Sequence, residues 1–428
     1  MRTEEKTNVK NSVGRMVFVV LAVLIQAAWL IVLMLKLQKY SVWISLATSV
    51  IALLVVLRLY GKHTNAAFKM PWIMLILVFP IAGLTLYFLV GNSGITKGMR
   101  KRFARIDKEL DEKLTQDPAV MQNLEARDLA QANQSRYVWS YGKYPVYQNT
   151  DVEYYSDAAE GLRAQQEALR KAEKFIFMEY HAIEDTQSFH SLKDILKEKA
   201  SQGVEVRILY DDIGSIGFIN KDFIKRMEAD GIACRVFNPI VPILSVFMNH
   251  RDHRKITVVD GKVGFTGGYN LADEYFNITH PYGQWKDTGL RLEGDAVRSL
   301  TQIFLEMWNS IHETDRDYDR YLPAVEYKAA EKGYVQPYAD SPLDDERVGE
   351  SVYLNAIKNA KKYIYFATPY LIISDEMNRE LGLAAKRGVD VRIMTPGIPD
   401  KKVVFQVTRS YPDTQEHFFF SFLTLRVL

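Results

Sequence analysis

Residues 249–270 hold the side chains best suited to chemistry. His253, Lys255 and Asp260 stand at a His-x-Lys-x4-Asp spacing, and Gly267-Gly268-Tyr269-Asn270 follows closely. An imidazole can attack or carry a proton near neutral pH, an ammonium is a fixed cation, and a carboxamide donates N–H groups. Converging over two glycines, which let backbone and ligand come close, these groups suit a phosphate. The reading assigns His253, Lys255 and Asp260 to catalysis, and Lys255, Asn270 and Gly268 to phosphate binding. Asp260 is read more as a turn and charge-support residue than as an acid. The plainer alternative is a strand with solvated polar groups and a bend at the glycines.

The element that must position them is a β-hairpin. Two apolar runs flank Asp260-Gly261, a two-residue turn signal. A simple two-residue loop places Val259 opposite Lys262, His253 opposite Gly268, Lys255 opposite Thr266 and Asn270 opposite Arg251. Strand alternation then turns His253, Lys255 and Asn270 to one side.

The 428 residues allow two or three domains. With 54 Lys and Arg against 52 Asp and Glu, the net charge of +2 gives no general field for nucleic acid. The single cysteine, Cys234, excludes an internal disulfide framework and reads as a small buried apolar residue. His250 and His253 resemble a metal pair, but their odd spacing on an extended strand sends them to opposite faces. No metal and no cofactor are expected.

The first 95 residues are far more apolar than the rest and read as a membrane anchor of two or three segments. Residues 16–35 form 20 positions without a charge, long enough to span a bilayer, and runs at 42–57 and 71–90 follow. Three crossings leave Lys and Arg evenly divided between the two sides. Two crossings with a non-crossing third run gather all but two on one side. Pro80 and Gly83 mark the third run as broken or re-entrant. Residues 96–143 read as a charged, helical, solvated connector. Helices and strands then alternate through 144–314, the signature of a parallel sheet covered by helices. Asp211-Asp212 reads as a hydrated strand end, residues 238–249 as an apolar lip for acyl chains, and 315–333 as a charged, Tyr-rich linker.

An internal repeat is visible. Residues 358–366 restate 170–178 at an offset of 188, and 388–393 restate 203–208 at an offset of 185. The unit at 334–410 is therefore a partial second copy. His253 lies 50 residues after Gly203, whereas 50 residues after Gly388 falls beyond residue 428. Residues 411–428 read as an aberrant tail, the mark of an interrupted reading frame or an abbreviated chain.

Roughly residues 71–410 resemble the phospholipase D superfamily, and within it bacterial cardiolipin synthases. The likeness rests on Trp72, Pro80 and Gly83, on Asn249-His-Arg-Asp-His-Arg-Lys, on Asp260-Gly261 and Gly267-Gly-Tyr-Asn, and on Trp285-Lys-Asp and Ala367-Thr-Pro-Tyr. It implies N-terminal membrane helices followed by a duplicated α/β sandwich, here with an incomplete second half. It also implies a multi-pass protein of the bacterial cell membrane with a cytoplasmic catalytic part. The implied activity condenses two phosphatidylglycerols to cardiolipin and glycerol through a phosphatidyl-histidine on His253. Asp287 orients an imidazole on this likeness. Family members carry two His-Lys-Asp motifs; one stands here, so a homodimer would have to supply the second. The alternatives are another phospholipase D-type phosphodiesterase or transphosphatidylase, and a catalytically dead membrane-bound remnant or binding partner.

Overall fold

The computed structural model describes residues 42–62, 66–88, 97–220, 222–239, 250–413 and 421–425, together with scattered positions between 17 and 36. Part of the run at 16–35, the greater part of the proposed lip at 238–249, and much of the tail lie outside the described residues.

Helices α1 (Val42–Tyr60), α2 (Ala66–Val78) and α3 (Pro80–Leu86) form an apolar group. The third run breaks where its proline predicts, with Phe79 leaving helical geometry at φ −128°. Gly83 lets α3 fold back on α2, since a Cβ there would stand 2.5 Å from the Ile76 Cα. Among the described residues no helix is long and apolar enough to cross a membrane. The outer side of α1 is nonetheless apolar, with Val50, Leu53, Leu54 and Leu57 exposed.

Next come α4 (Lys97–Asp111), α5 (Pro118–Arg127) and α6 (Leu129–Gly142). Asp117 and Asp128 cap α5 and α6 by accepting from Ala119 and Ala130 at 2.8 and 2.9 Å. The solvated connector expected here is not what forms. Phe103, Ile106 and Leu110 of α4 join the main core at 0–3% exposure. Their spacing of three and four residues gives α4 an apolar stripe, which outweighs its charges.

The larger sheet has strand order β1-β7-β6-β5-β2-β3-β4. Its strands are β1 (Thr150–Tyr155), β2 (Phe175–Tyr180), β3 (Glu205–Asp211), β4 (Ala233–Phe237), β5 (Lys255–Val259), β6 (Val263–Gly267) and β7 (Gly289–Gly294). β2, β3 and β4 run parallel, and β5 lies antiparallel to β2. Helices α7 (Ala158–Arg170), α8 (Gln187–Ser201) and α9 (Phe223–Ala229) cover one face, against Ile176, Met178, Val206 and Ile208. On the other face α10 (Val297–Ile311) lies between the sheet and α4, packing Phe304 and Trp308 against Phe177 and Phe175. β2 is buried along its whole length because it is covered on both sides. The stretch read as a linker also reaches the core, through Asp315, Tyr318 and Tyr321.

The second unit runs α11 (Val348–Asn359), β8 (Tyr363–Ala367), α12 (Asp375–Lys386), β9 (Asp390–Pro396), α13 (Lys402–Asp413) and β10 (Ser421–Leu425). It makes a three-stranded parallel sheet ordered β10-β9-β8. Register repeats along with sequence: Phe175 pairs Glu205 as Tyr363 pairs Asp390. β10 extends the match into the stretch expected to be aberrant. Ser421 faces Arg392 just as Ala233 faces Arg207, so β10 occupies the position of β4.

Candidate active site at the strand ends

The hairpin forms with a register one residue away from the expected one. Val259 pairs with Val263 and Ile256 with Thr266. Asp260 and Gly261 take left-handed backbone angles, φ 53° and 67°, and Lys262 N–H donates to the Val259 carbonyl at 3.0 Å. Lys262 is thereby drawn into the turn as an extra residue. His253 lies two residues before β5 begins, and its meeting with Lys255 does not depend on the cross-strand register. The cross-strand argument for Asn270 does not survive, and Asn270 lies beyond the end of β6.

His253 and Lys255 come together. Lys255 Nζ stands 3.3 and 3.4 Å from the two His253 ring nitrogens and donates to the His253 carbonyl at 3.0 Å. An ammonium only donates, so this geometry suits a neutral imidazole. Burial pushes the His253 pKa down to about 4, aided by the charges of Lys255 and His181. Burial likewise lowers Lys255 to about 8, opposed by Asp252 and Asp287.

Asp260 is at the other end of β5, five residues from Lys255, or roughly 17 Å at strand rise. Its carboxylate accepts from the backbone N–H groups of Glu173, Lys174 and Phe175 at 2.7–2.9 Å, fixing the turn against the start of β2. The space above Gly268 is filled by Asp287: a Cβ on Gly268 would stand 2.2 Å from its Oδ1. Asp287 is itself held by the Thr288 N–H at 2.8 Å and the Trp285 indole at 3.3 Å, and burial raises its pKa. Asn270, 4% exposed, accepts from Ala182 N–H at 3.1 Å and donates to the Tyr275 hydroxyl at 2.9 Å. One of its two amide hydrogens is committed there.

Three residues that motif spacing did not single out complete the surroundings. The His181 ring lies 4.5 Å from that of His253, tilted by 51°. Its Nδ1 meets the Asp252 carbonyl at 2.7 Å, which places the proton on Nδ1. Burial holds His181 below the usual imidazole range. Asp211, expected to be hydrated, is fully buried and binds Asp252 N–H at 3.0 Å and Arg251 at 3.2 Å. His181 and Asp211 sit at the ends of β2 and β3, where the sheet changes from parallel to antiparallel. That position is the signal by which they could have been found. From the second unit, Lys401 adds positive charge that acts on both imidazoles. Cys234 is buried as expected, and burial pushes its thiol up.

A repeated α/β unit with an imidazole and an ammonium gathered at its strand ends defines the phospholipase D-like class. Comparison with known proteins narrows this. Residues 166–308 and 353–417 match the family described as cardiolipin synthase, PLD-like domain, and residues 47–92 match the phospholipase D-nuclease N-terminal family. An uncharacterized protein of Streptococcus mutans is 39% identical over 358 residues, 83% of this chain and 77% of its own. The cardiolipin synthase of Halalkalibacterium halodurans is 32% identical over 376 residues, 87% and 73% of the two chains. Cardiolipin synthase 2 of Bacillus cereus is 34% identical over 361 residues, 83% and 69%. The chain belongs to the cardiolipin synthase family of phospholipase D-like transferases.

Proposed function

We propose that the protein is a phosphatidyl transferase that condenses two phosphatidylglycerols to cardiolipin and glycerol. The observation that carries this is the contact of the buried Lys255 Nζ with a neutral, solvent-accessible His253 ring. The ring nitrogen of His253 attacks phosphorus, the P–O bond to one glycerol breaks, and a phosphatidyl-histidine forms. Lys255, with the uncommitted amide hydrogen of Asn270, takes up charge on the non-bridging oxygens. The second phosphatidylglycerol hydroxyl then attacks the same phosphorus, gives its proton to the group that protonated the departing glycerol, and releases His253. Asp287 favours the charge on Lys255, and the His181 ring lies against the His253 imidazole.

In-line displacement needs a proton delivered to the departing oxygen on the flank away from the nucleophile. His181 lies beside His253, its ring tilted by 51° against it, and therefore stands on the nucleophile's own flank. A second copy of the chain supplies the opposing imidazole in this reading. The apolar outer side of α1 supports attachment to the bacterial cell membrane, with a cytoplasmic catalytic part.

The test uses purified protein with phosphatidylglycerol vesicles and mass spectrometry of the lipids. Cardiolipin should appear with wild type and vanish with His253→Ala, and a denatured quench should trap a phosphatidyl adduct on His253. Release of phosphatidic acid instead would reassign the protein as a hydrolase. Product formed equally by His253→Ala would remove His253 as the nucleophile.

A further inference from the structure

By strand alternation, the side of β2 that packs on α10 reads Phe175, Phe177 and then Glu179, a carboxyl where the pattern calls for a third apolar side chain. Glu179 is 0% exposed, and Asp252, in the segment before β5, is 1% exposed. Their two carboxyl groups lie within hydrogen-bond reach of each other. Arg254 Nη1 donates to Glu179 Oε1 at 3.2 Å, and the Arg254 backbone N–H donates to Asp252 Oδ1 at 3.4 Å. The remaining oxygens, Glu179 Oε2 and Asp252 Oδ2, are buried, and among the described residues no donor reaches either. Two ionised carboxylates in this contact would repel and leave both oxygens orphaned. One proton between them satisfies both.

The surrounding charges lead to the same state. Arg254 and Lys255 are the cations here, and Glu179, Asp252 and Asp287 are the carboxyls that act on them. Glu306, Asp344 and the Tyr144 hydroxyl also face Arg254, and burial holds all three toward their neutral forms. His181, His253 and Asp211 face Asp252 from the ends of β2, β5 and β3. With Glu179 ionised, three anions would stand against two cations. With Glu179 neutral, two stand against two. Asp252 answers both cations, whereas Glu179 is paired with Arg254, so the proton belongs on Glu179.

We propose that Glu179 is a positioning residue: it carries the proton of a shared carboxyl pair and leaves Asp252 as the anion that keeps Lys255 charged. A protonated Glu179 donates to Asp252 without adding a second negative charge beside it. Glutamine can do the same, and an ionised glutamate cannot. The role of Lys255 is that of the reading above, so this inference rests on it, and the test separates the two.

The test follows the Lys255 amine directly, in full-length protein in detergent micelles, by the pH dependence of its acetylation with acetic anhydride and mass spectrometry of the digest. The wild-type midpoint should lie at about 8. Asp252→Asn should lower it by about one pH unit. Glu179→Leu, which takes the donor from Asp252, should lower it in the same direction, and Glu179→Gln should restore it to the wild-type value. Infrared difference spectra of wild type against Glu179→Gln at neutral pH should show the loss of a protonated-carboxyl band. Loss of carboxylate bands in its place would overturn the proposal. So would a midpoint that moves with Glu179→Gln or stays put with Asp252→Asn. On phosphatidylglycerol vesicles the alkaline limb of kcat/KM should track the labelled midpoint. The expected midpoints in a protein that makes no cardiolipin would discard the transferase reading and uphold the carboxyl pair.

Discussion

At the scale of single residues, the pH response of the site follows from two neighbours pushed in the same direction. His253 acts as a nucleophile only when neutral, and with its pKa near 4 it is neutral throughout the physiological range. Lys255 must stay charged, and with its pKa near 8 it loses its proton just above that range. Transfer activity should therefore fall as pH drops through about 4 and again as it rises through about 8. Lys255→Arg should move the alkaline limb upward in a kcat/KM profile, because guanidinium remains charged there. Asp260 responds differently. Asp260→Ala removes three hydrogen bonds to a carboxylate and should cost about 2–4 kcal/mol in denaturant unfolding. KM of the folded fraction should not change, because the turn lies at the far end of the strand. Motif spacing made the His253–Lys255 pair legible, since two residues separated by one cannot lie far apart. His181, Asp211 and Asp252 were not legible, because strand neighbours distant in sequence bring them together.

At the scale of elements, a stretch read as a solvated connector and another read as a linker turn out to reach the core. The apolar stripe of α4 was present in Phe103, Ile106 and Leu110, yet the charges between them drew the reading outward. Those charges then become informative. Asp107 and Asp111 on α4 lie against Glu306 on α10, with Gln302 donating to Glu306 at 2.6 Å and Tyr144 at 3.3 Å. Burial raises all three carboxyls, Asp111 to about 7. A carboxyl whose folded pKa is raised favours the folded state most below its unfolded pKa, and this support is lost as pH climbs toward the folded value. Stability should accordingly decline between about pH 4 and 7. Asp111→Asn should flatten that decline in thermal melts compared at pH 5 and 8. The former linker holds one member of a buried ion pair, Asp315 on Arg207. Asp315→Ala should destabilise by about 1.5–3 kcal/mol, because the buried guanidinium would lose its two-pronged carboxylate and keep only Glu205. The repeat was readable because its matching segments are β-strands and the turns that precede them. The position of β10 was not readable, since it is fixed by register against β9 and residues 421–425 show little likeness to β4.

At the scale of the whole molecule, the apolar helices and the catalytic body form one continuous chain with a short link. Replacing Leu53, Leu54 and Leu57 by Asp should release the protein from anionic vesicles in flotation assays. Each charge placed at mid-membrane depth costs roughly 2.5–3.5 kcal/mol. The link also bears on kinetics. Only eight residues, 89–96, separate the last described position before the gap from α4, and α4 is packed on the outer side of α10 rather than hanging free. Under the proposed membrane attachment, a link of this length would keep the body within about 30 Å of the surface. Its collisions with lipid would be confined to the plane of that attachment. Turnover should then follow the mole fraction of phosphatidylglycerol in the surface and ignore the total amount of lipid in the tube.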